Sequence, residues 1–187
     1  MGFRRLPILL LFTVCSFAEG MEFSLHDAQG VTHTAAELNR YKATVFVFVA
    51  TDCPNSNTYA PVLARLYREY SQRGIAFFNV YSDPAETAST VARHDTDFQT
   101  PFRALLDPHQ KLARETGARS TPEAIVLGPE GQQLYRGRID NRFVELGKSR
   151  YQPTESDLQE ALDAILQGKP APHPVTRTIG CAIPGLD

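Results

Sequence analysis

Residues 44–58 read TVFVFVATDCPNSNT, and the change of pattern inside this stretch decides the architecture. The run Val45-Phe46-Val47-Phe48-Val49 is β-branched or aromatic at every position, as in a central strand with helices on both faces. Beyond it the period changes. Tyr59, Val62, Leu63, Leu66, Tyr67 and Tyr70 recur three and four residues apart with Arg65, Arg68 and Glu69 opposite, which predicts a helix over residues 55–73 ended by Gly74. Pro61 lies inside that pattern, removes a backbone donor and predicts a kink. Cys53 sits at the strand-to-helix junction.

Working outward, strand and helix patterns alternate, which predicts an α/β fold with one mixed sheet. Upstream, Phe23-Ser24-Leu25 alternates, residues 27–30 supply a turn, and residues 35–40 predict a short helix. Downstream, residues 75–81 predict a second apolar strand and residues 83–97 a polar helical segment. A short edge strand over residues 101–106 follows, then a helix over residues 109–116 closed by Gly117. Residues 123–127 and 132–136 predict a hairpin across Pro129-Glu130-Gly131. A last helix carries Leu158, Leu162, Ile165 and Leu166 on one face, with Thr154 and Asp157 resembling a capping box and Gly168 ending it. Residues 169–174, with three prolines, predict an extended tail that carries Cys181.

A chain of 187 residues with 42% hydrophobic content suits one domain. Its formal net charge of -2 provides no basic field for nucleic acid or an anionic membrane. Arg4 and Arg5, the apolar residues 6–17 and the Ser16/Ala18 small-residue pair predict an export signal over residues 1–18. Contact with a membrane would then be transient, and the destination periplasmic or secreted. The apolar run is shorter than the ~20 residues that span a bilayer. The expected organisation is signal 1–18, domain 22–168 and Cys-containing tail 169–187. Cys15 leaves with the signal, so Cys53 and Cys181 remain, in a compartment where disulfides persist.

A cysteine at a helix N-terminus is stabilised as thiolate, the nucleophilic form, while an inert buried cysteine is the plain alternative. The T-D-C-P-N-S-N junction, the proline-kinked helix and the later G-A-R-S-T-P-E-A-I-V with its hairpin resemble the thioredoxin superfamily. The insertion between Cys53 and Pro122 is similar to its redoxin branch, which includes alkyl hydroperoxide reductase/thiol-specific antioxidant (AhpC/TSA) domains. The resemblance spans about residues 22–139. It implies a thioredoxin-like fold, a cis bond at Thr121-Pro122 facing Cys53, and a partner-binding surface there. Pro54, Ser56, Thr121, Pro122 and Arg119 are the candidate substrate-binding residues, Arg119 as a cation near the thiolate.

Two departures narrow the chemistry. Ser56 stands where thioredoxins carry a second cysteine, and a hydroxyl cannot resolve a mixed disulfide. Peroxiredoxins need P-x-x-x-T-x-x-C, but Phe46 and Ala50 occupy the proline and threonine positions. Thiol-disulfide exchange with Cys53 as nucleophile and Cys181 as resolving thiol is therefore the first reading. The substrate is a protein disulfide, and an unidentified thiol supplies electrons. A peroxiredoxin-like antioxidant peroxidase is the second reading, and a partner- or copper-binding module the third. A static Cys53–Cys181 clamp and an intermolecular bridge are the other fates of the cysteines. No organic cofactor is implied, because no glycine loop for phosphate is present. His94, His109 and His173 suggest copper only weakly, so no metal is assigned. Asp52 is expected to cap the helix rather than shuttle protons, and the charged residues 136–142 are expected to form a solvated loop.

Overall fold

The computed structural model describes residues 21–186, so the expected export signal and Cys15 lie outside the described residues. Strands β1 (Ser24–Asp27) and β2 (Thr32–Thr34) form a hairpin, and a 3₁₀ turn over Ala35–Arg40 leads to β3 (Ala43–Val49). Then come α1 (Pro54–Thr58), α2 (Ala60–Tyr70), β4 (Ile75–Tyr81), α3 (Ala88–Asp97), β5 (Arg103–Leu106) and α4 (Lys111–Thr116). The remaining elements are β6 (Ser120–Thr121), β7 (Glu123–Leu127), β8 (Gln133–Gly137), β9 (Phe143–Glu145), β10 (Lys148–Ser149), α5 (Asp157–Leu166) and β11 (Cys181–Ala182).

Seven strands form one mixed sheet in the order β2-β1-β5-β4-β3-β7-β8. β3 is its centre, parallel to β4 and antiparallel to β7, and all seven of its residues are buried. Val45, Val47 and Val49 face one apolar layer with Leu63, Leu66, Tyr70, Leu158 and Leu162 from α2 and α5. Phe46 and Phe48 face the other, with Leu105, Leu112, Ile125 and, from the end of the chain, Ile183 and Leu186. The unbroken apolar run thus reflects a strand with a core on each side. Among the described residues no helix is long and apolar enough to cross a membrane.

The expected kinked helix is two helices. The break falls at Tyr59 (φ −87°, ψ −8°), two residues before Pro61, which has no N–H to continue the ladder. The segment after Asp83 turns before it becomes helical, and α3 begins only at the reciprocal Thr87/Thr90 cap. β5 is not an edge strand as the sequence suggested. The β1–β2 hairpin pairs outside it, with His26 opposite Leu106. The buried Asp27 carboxylate fixes that hairpin, accepting the Gln29 and Val31 N–H groups at 3.0 and 2.8 Å and Arg103 Nη1 at 2.9 Å.

The expected Thr154/Asp157 capping box is absent. α5 follows Ser156 with no side-chain cap bond. Thr154 instead exchanges hydrogen bonds with the Asn141 side chain, both 2.8 Å, and Asp157 receives Arg138 Nε at 2.7 Å and Nη2 at 3.1 Å. A carboxylate in the first turn still suits the helix dipole. Beyond α5 the proline-rich segment is not the extended run expected: it bends over residues 172–174 and docks. Its Pro174 carbonyl accepts the Arg136 N–H and its Thr176 N–H donates to the Arg136 carbonyl, both at 2.9 Å, which lays it along β8.

Candidate active site

Cys53 follows the C-terminal end of β3 and is the residue that caps α1, with Pro54 at the start of that helix. Pro54 suits that position because its missing N–H would have no intrahelical partner there. Cys53 is 0% exposed. The chain returns over it through the last strand pair: β11 lies antiparallel to β6 with Cys181 opposite Thr121. The two sulfurs are 2.7 Å apart, and the Cys53 thiol also donates to the Thr121 carbonyl at 3.2 Å. The Thr121-Pro122 peptide bond is cis, as the resemblance implied.

Burial pushes the Cys53 thiol up. The hydrogen bond from Cys181, the side chains of Thr121 and Ser56, and the Ser56 backbone N–H outweigh it and hold the group below its ordinary value. The Ser56 and Thr121 hydroxyls are buried and otherwise unpartnered. Cys181 moves the opposite way, pushed up to about 12 by burial, by its bond to Cys53 and by the negative charges of Cys53 and Asp52. Of the two thiols, Cys53 is therefore the more acidic and Cys181 the less.

The segment bearing Cys181 is held on both sides. Asn55 Nδ2 donates to the Ile179 carbonyl at 3.4 Å, and the Ser120 and Thr178 hydroxyls are 2.7 Å apart. Beyond the cysteine the Ile183 N–H donates to the Arg119 carbonyl at 3.1 Å and Gln110 Nε2 to the Pro184 carbonyl at 2.5 Å. Arg119 is not the cation expected near the thiolate. Its guanidinium donates to the Leu186 carbonyl at 3.1 Å and ties down the end of the chain.

Of the sequence candidates, the fold brings Cys53, Ser56, Thr121, Pro122 and Cys181 together, sets exposed Pro54 beside them and turns Arg119 away. Asp52 is exposed and does not cap α1, because Cys53 itself holds the cap position. Asn55 and Gly180 escaped the sequence reading; the Gly-Cys pair in the tail was the available signal for the latter.

The other polar groups nearby serve the fold. His94 Nε2 lies 2.8 Å from Asn57 Oδ1 and Nδ1 lies 2.9 Å from the Tyr81 hydroxyl, so both ring nitrogens are engaged. Among the described residues no group of three or more metal-ligating side chains assembles. The charged residues 136–142 are not the solvated loop expected: none is exposed, and Arg136 pairs with Glu123 at 3.7 Å and Arg138 with Asp157 and Glu155. A cavity of about 810 Å³ lies at the opposite end of β4, lined by Tyr67, Phe77, Phe102 and Arg103, and includes neither cysteine.

The AhpC/TSA family model matches residues 18–135. The chain belongs to the AhpC/TSA family. Within the thioredoxin superfamily to which that branch belongs, it is 25% identical over 129 residues to the thiol-disulfide oxidoreductase ResA of Halalkalibacterium halodurans, covering 68% of this chain and 72% of that protein. A hypothetical protein of Sinorhizobium meliloti is 30% identical and superposes with a TM-score of 0.77, covering 88% of this chain and 91% of the other. An uncharacterized conserved protein of Geobacillus kaustophilus is 25% identical with a TM-score of 0.78, covering 88% of each chain. The AhpC/TSA match ends ahead of β9, α5 and the segment that carries Cys181.

Proposed function

We propose that this AhpC/TSA-family protein is an exported thiol-disulfide oxidoreductase whose redox couple is Cys53–Cys181. The observation that carries this reading is the pair of sulfurs 2.7 Å apart with unequal proton affinities. Cys53 is the nucleophile of the couple and Cys181 the sulfur it closes upon, replacing the local second cysteine that Ser56 does not provide. Formation of the bond releases two electrons and the thiol proton, and exchange with a partner passes through a mixed disulfide. The name of the ResA relative agrees with this activity. The lack of a peroxidase threonine at Ala50 favours exchange over peroxide reduction.

The test is turnover of a protein disulfide such as insulin with dithiothreitol as donor, alongside peptide mapping of the oxidised protein. Both Cys53→Ser and Cys181→Ser are expected to abolish turnover, and the oxidised wild-type protein to yield a bridged Cys53–Cys181 peptide. Full turnover in either variant, or peroxide consumption outpacing disulfide exchange, overturns the reading. Export is checked separately by the N-terminus of the native protein, expected near Glu19.

A further inference from the structure

We propose that external thiols enter the couple at Cys181, with Cys53 as the buried leaving group. The assignment rests on the Cys53–Cys181 couple proposed above and adds which sulfur meets the partner, with reduced dithiols as the substrate class.

Access decides first. Cys53 is 0% exposed, whereas Cys181 is partly open to solvent. The strap over Cys53 does not swing on one hinge. It is fastened before the cysteine at Pro174, Thr176, Thr178 and Ile179, and after it at Ile183, Pro184 and Leu186. Ile183 and Leu186 also belong to the apolar layer beneath the sheet. A partner the size of a protein therefore meets Cys181 with the fold intact, but meets Cys53 only after two sets of contacts have opened.

The lining of the site decides second. A thiolate attacks a disulfide in line with the bond it breaks, so attack on Cys181 from solvent drives the departing electron pair inward onto Cys53. There the Ser56 and Thr121 hydroxyls, both 3% exposed and without hydrogen-bond partners, are free to donate to the new thiolate. Attack on Cys53 would instead expel Cys181 next to the carboxylate of Asp52. Leaving-group acidity points the same way, because the thiol of lower pKa departs faster and that thiol is Cys53.

The step balances without a further reactant. A partner thiolate bonds to the Cys181 sulfur as the Cys53–Cys181 bond breaks, leaving Cys53 as thiolate. The partner's second thiolate then attacks its own sulfur in the mixed disulfide and expels Cys181, which takes up a proton. The partner dithiol has become a disulfide, the couple holds its two electrons and one of its protons, and the other proton goes to solvent. The reverse reaction follows the same route.

The test mixes the oxidised full chain with 2-mercaptoethanol, quenches in acid to stop exchange, and locates the adduct by peptide mass spectrometry. The adduct is expected on Cys181, in excess over Cys53 by on the order of tenfold. A second measurement compares single-cysteine variants: Cys53 in Cys181→Ala should react with 5,5′-dithiobis(2-nitrobenzoate) at least about tenfold faster after unfolding in urea than when native. An adduct on Cys53 of a bridged protein, or equal native and unfolded rates, overturns this assignment and leaves the couple standing. An oxidised protein with no bridge between Cys53 and Cys181 overturns the couple, and this assignment with it.

Discussion

Gly180 lies so close to Thr121 that a Cβ added to it would stand 2.0 Å from the Thr121 carbonyl oxygen. This oxygen belongs to the same backbone that accepts the Cys53 thiol, so a side chain at position 180 lifts the strap off the site it covers. Gly180→Ala is expected to slow formation of the Cys53–Cys181 bond and to expose Cys53 of the reduced protein to N-ethylmaleimide, each by about an order of magnitude. Alkylation rates of Cys53 equal to those of the wild-type protein would show that the strap does not seal the site.

The two orphan hydroxyls predict a pH profile. The folded pKa of Cys53 is depressed below its ordinary 9.0, so its contribution to the stability of the reduced protein is present above 9.0 and is lost as pH falls through the folded value. Cys181, pushed up to about 12, has its folded pKa above its unfolded one. Its contribution is fully present below pH 9.0 and fades as pH rises toward 12. Of the two cysteines, only Cys53 therefore contributes slope below 9.0. Ser56→Ala removes one donor and is expected to shift the Cys53 titration midpoint upward. Ultraviolet thiolate absorbance against pH reads this directly, and a titration curve unchanged from wild type counts against a role for Ser56.

A third expectation concerns the support for the site. Arg138 makes a two-pronged contact with Asp157, which is 4% exposed, and joins the end of the β7–β8 hairpin to the start of α5. Arg138→Leu leaves that carboxylate buried without its partner, at a cost of about 2–4 kcal/mol. Arg138→Leu/Asp157→Leu should recover a substantial part of the loss. Urea unfolding of the four members of the cycle measures the coupling, and additive effects would mean that the pair is energetically idle.

The sequence carried most of the sheet and half of the site. β3, β4 and β7 were legible because a strand with a core on each side leaves a nearly continuous apolar run, broken in β4 by Asn79 and preceded in β7 by Glu123. The Cys53 junction was legible for the same reason, since the pattern changes period there. Pairing was not legible. β5 read as an edge because residues 24–27, which cover it, are separated from it by more than seventy residues and joined to it through the buried Asp27. The strap was hidden because β6 and β11 are two residues each, too short for any period, and their register is set by Gly180 against a carbonyl rather than by side-chain pattern. Arg119 was misplaced because a cation two residues before Thr121 in sequence carries no information about where its long side chain points.

The separation of 128 residues between Cys53 and Cys181 gives a prediction about stability as well as chemistry. In the chain-entropy account, a bond closing so long a loop stabilises the folded state by about 5 kcal/mol, whereas closing three residues contributes roughly 1.5 kcal/mol. Ser56 lies one helical turn from Cys53, with its hydroxyl already acting on that sulfur, so Ser56→Cys/Cys181→Ser moves the second thiol to a local position. This double variant is expected to form a Cys53-to-56 bridge that lies beneath the strap, both positions being buried. Gly180→Ala, harmful in the wild-type background, should then raise its turnover, because lifting the strap uncovers that bridge. The gap in unfolding free energy between oxidised and reduced forms should shrink by about 3 kcal/mol relative to wild type. Denaturant midpoints of both redox forms measure that gap. An undiminished gap, or a double variant that still loses activity with Gly180→Ala, would mean that the strap does more than supply a sulfur.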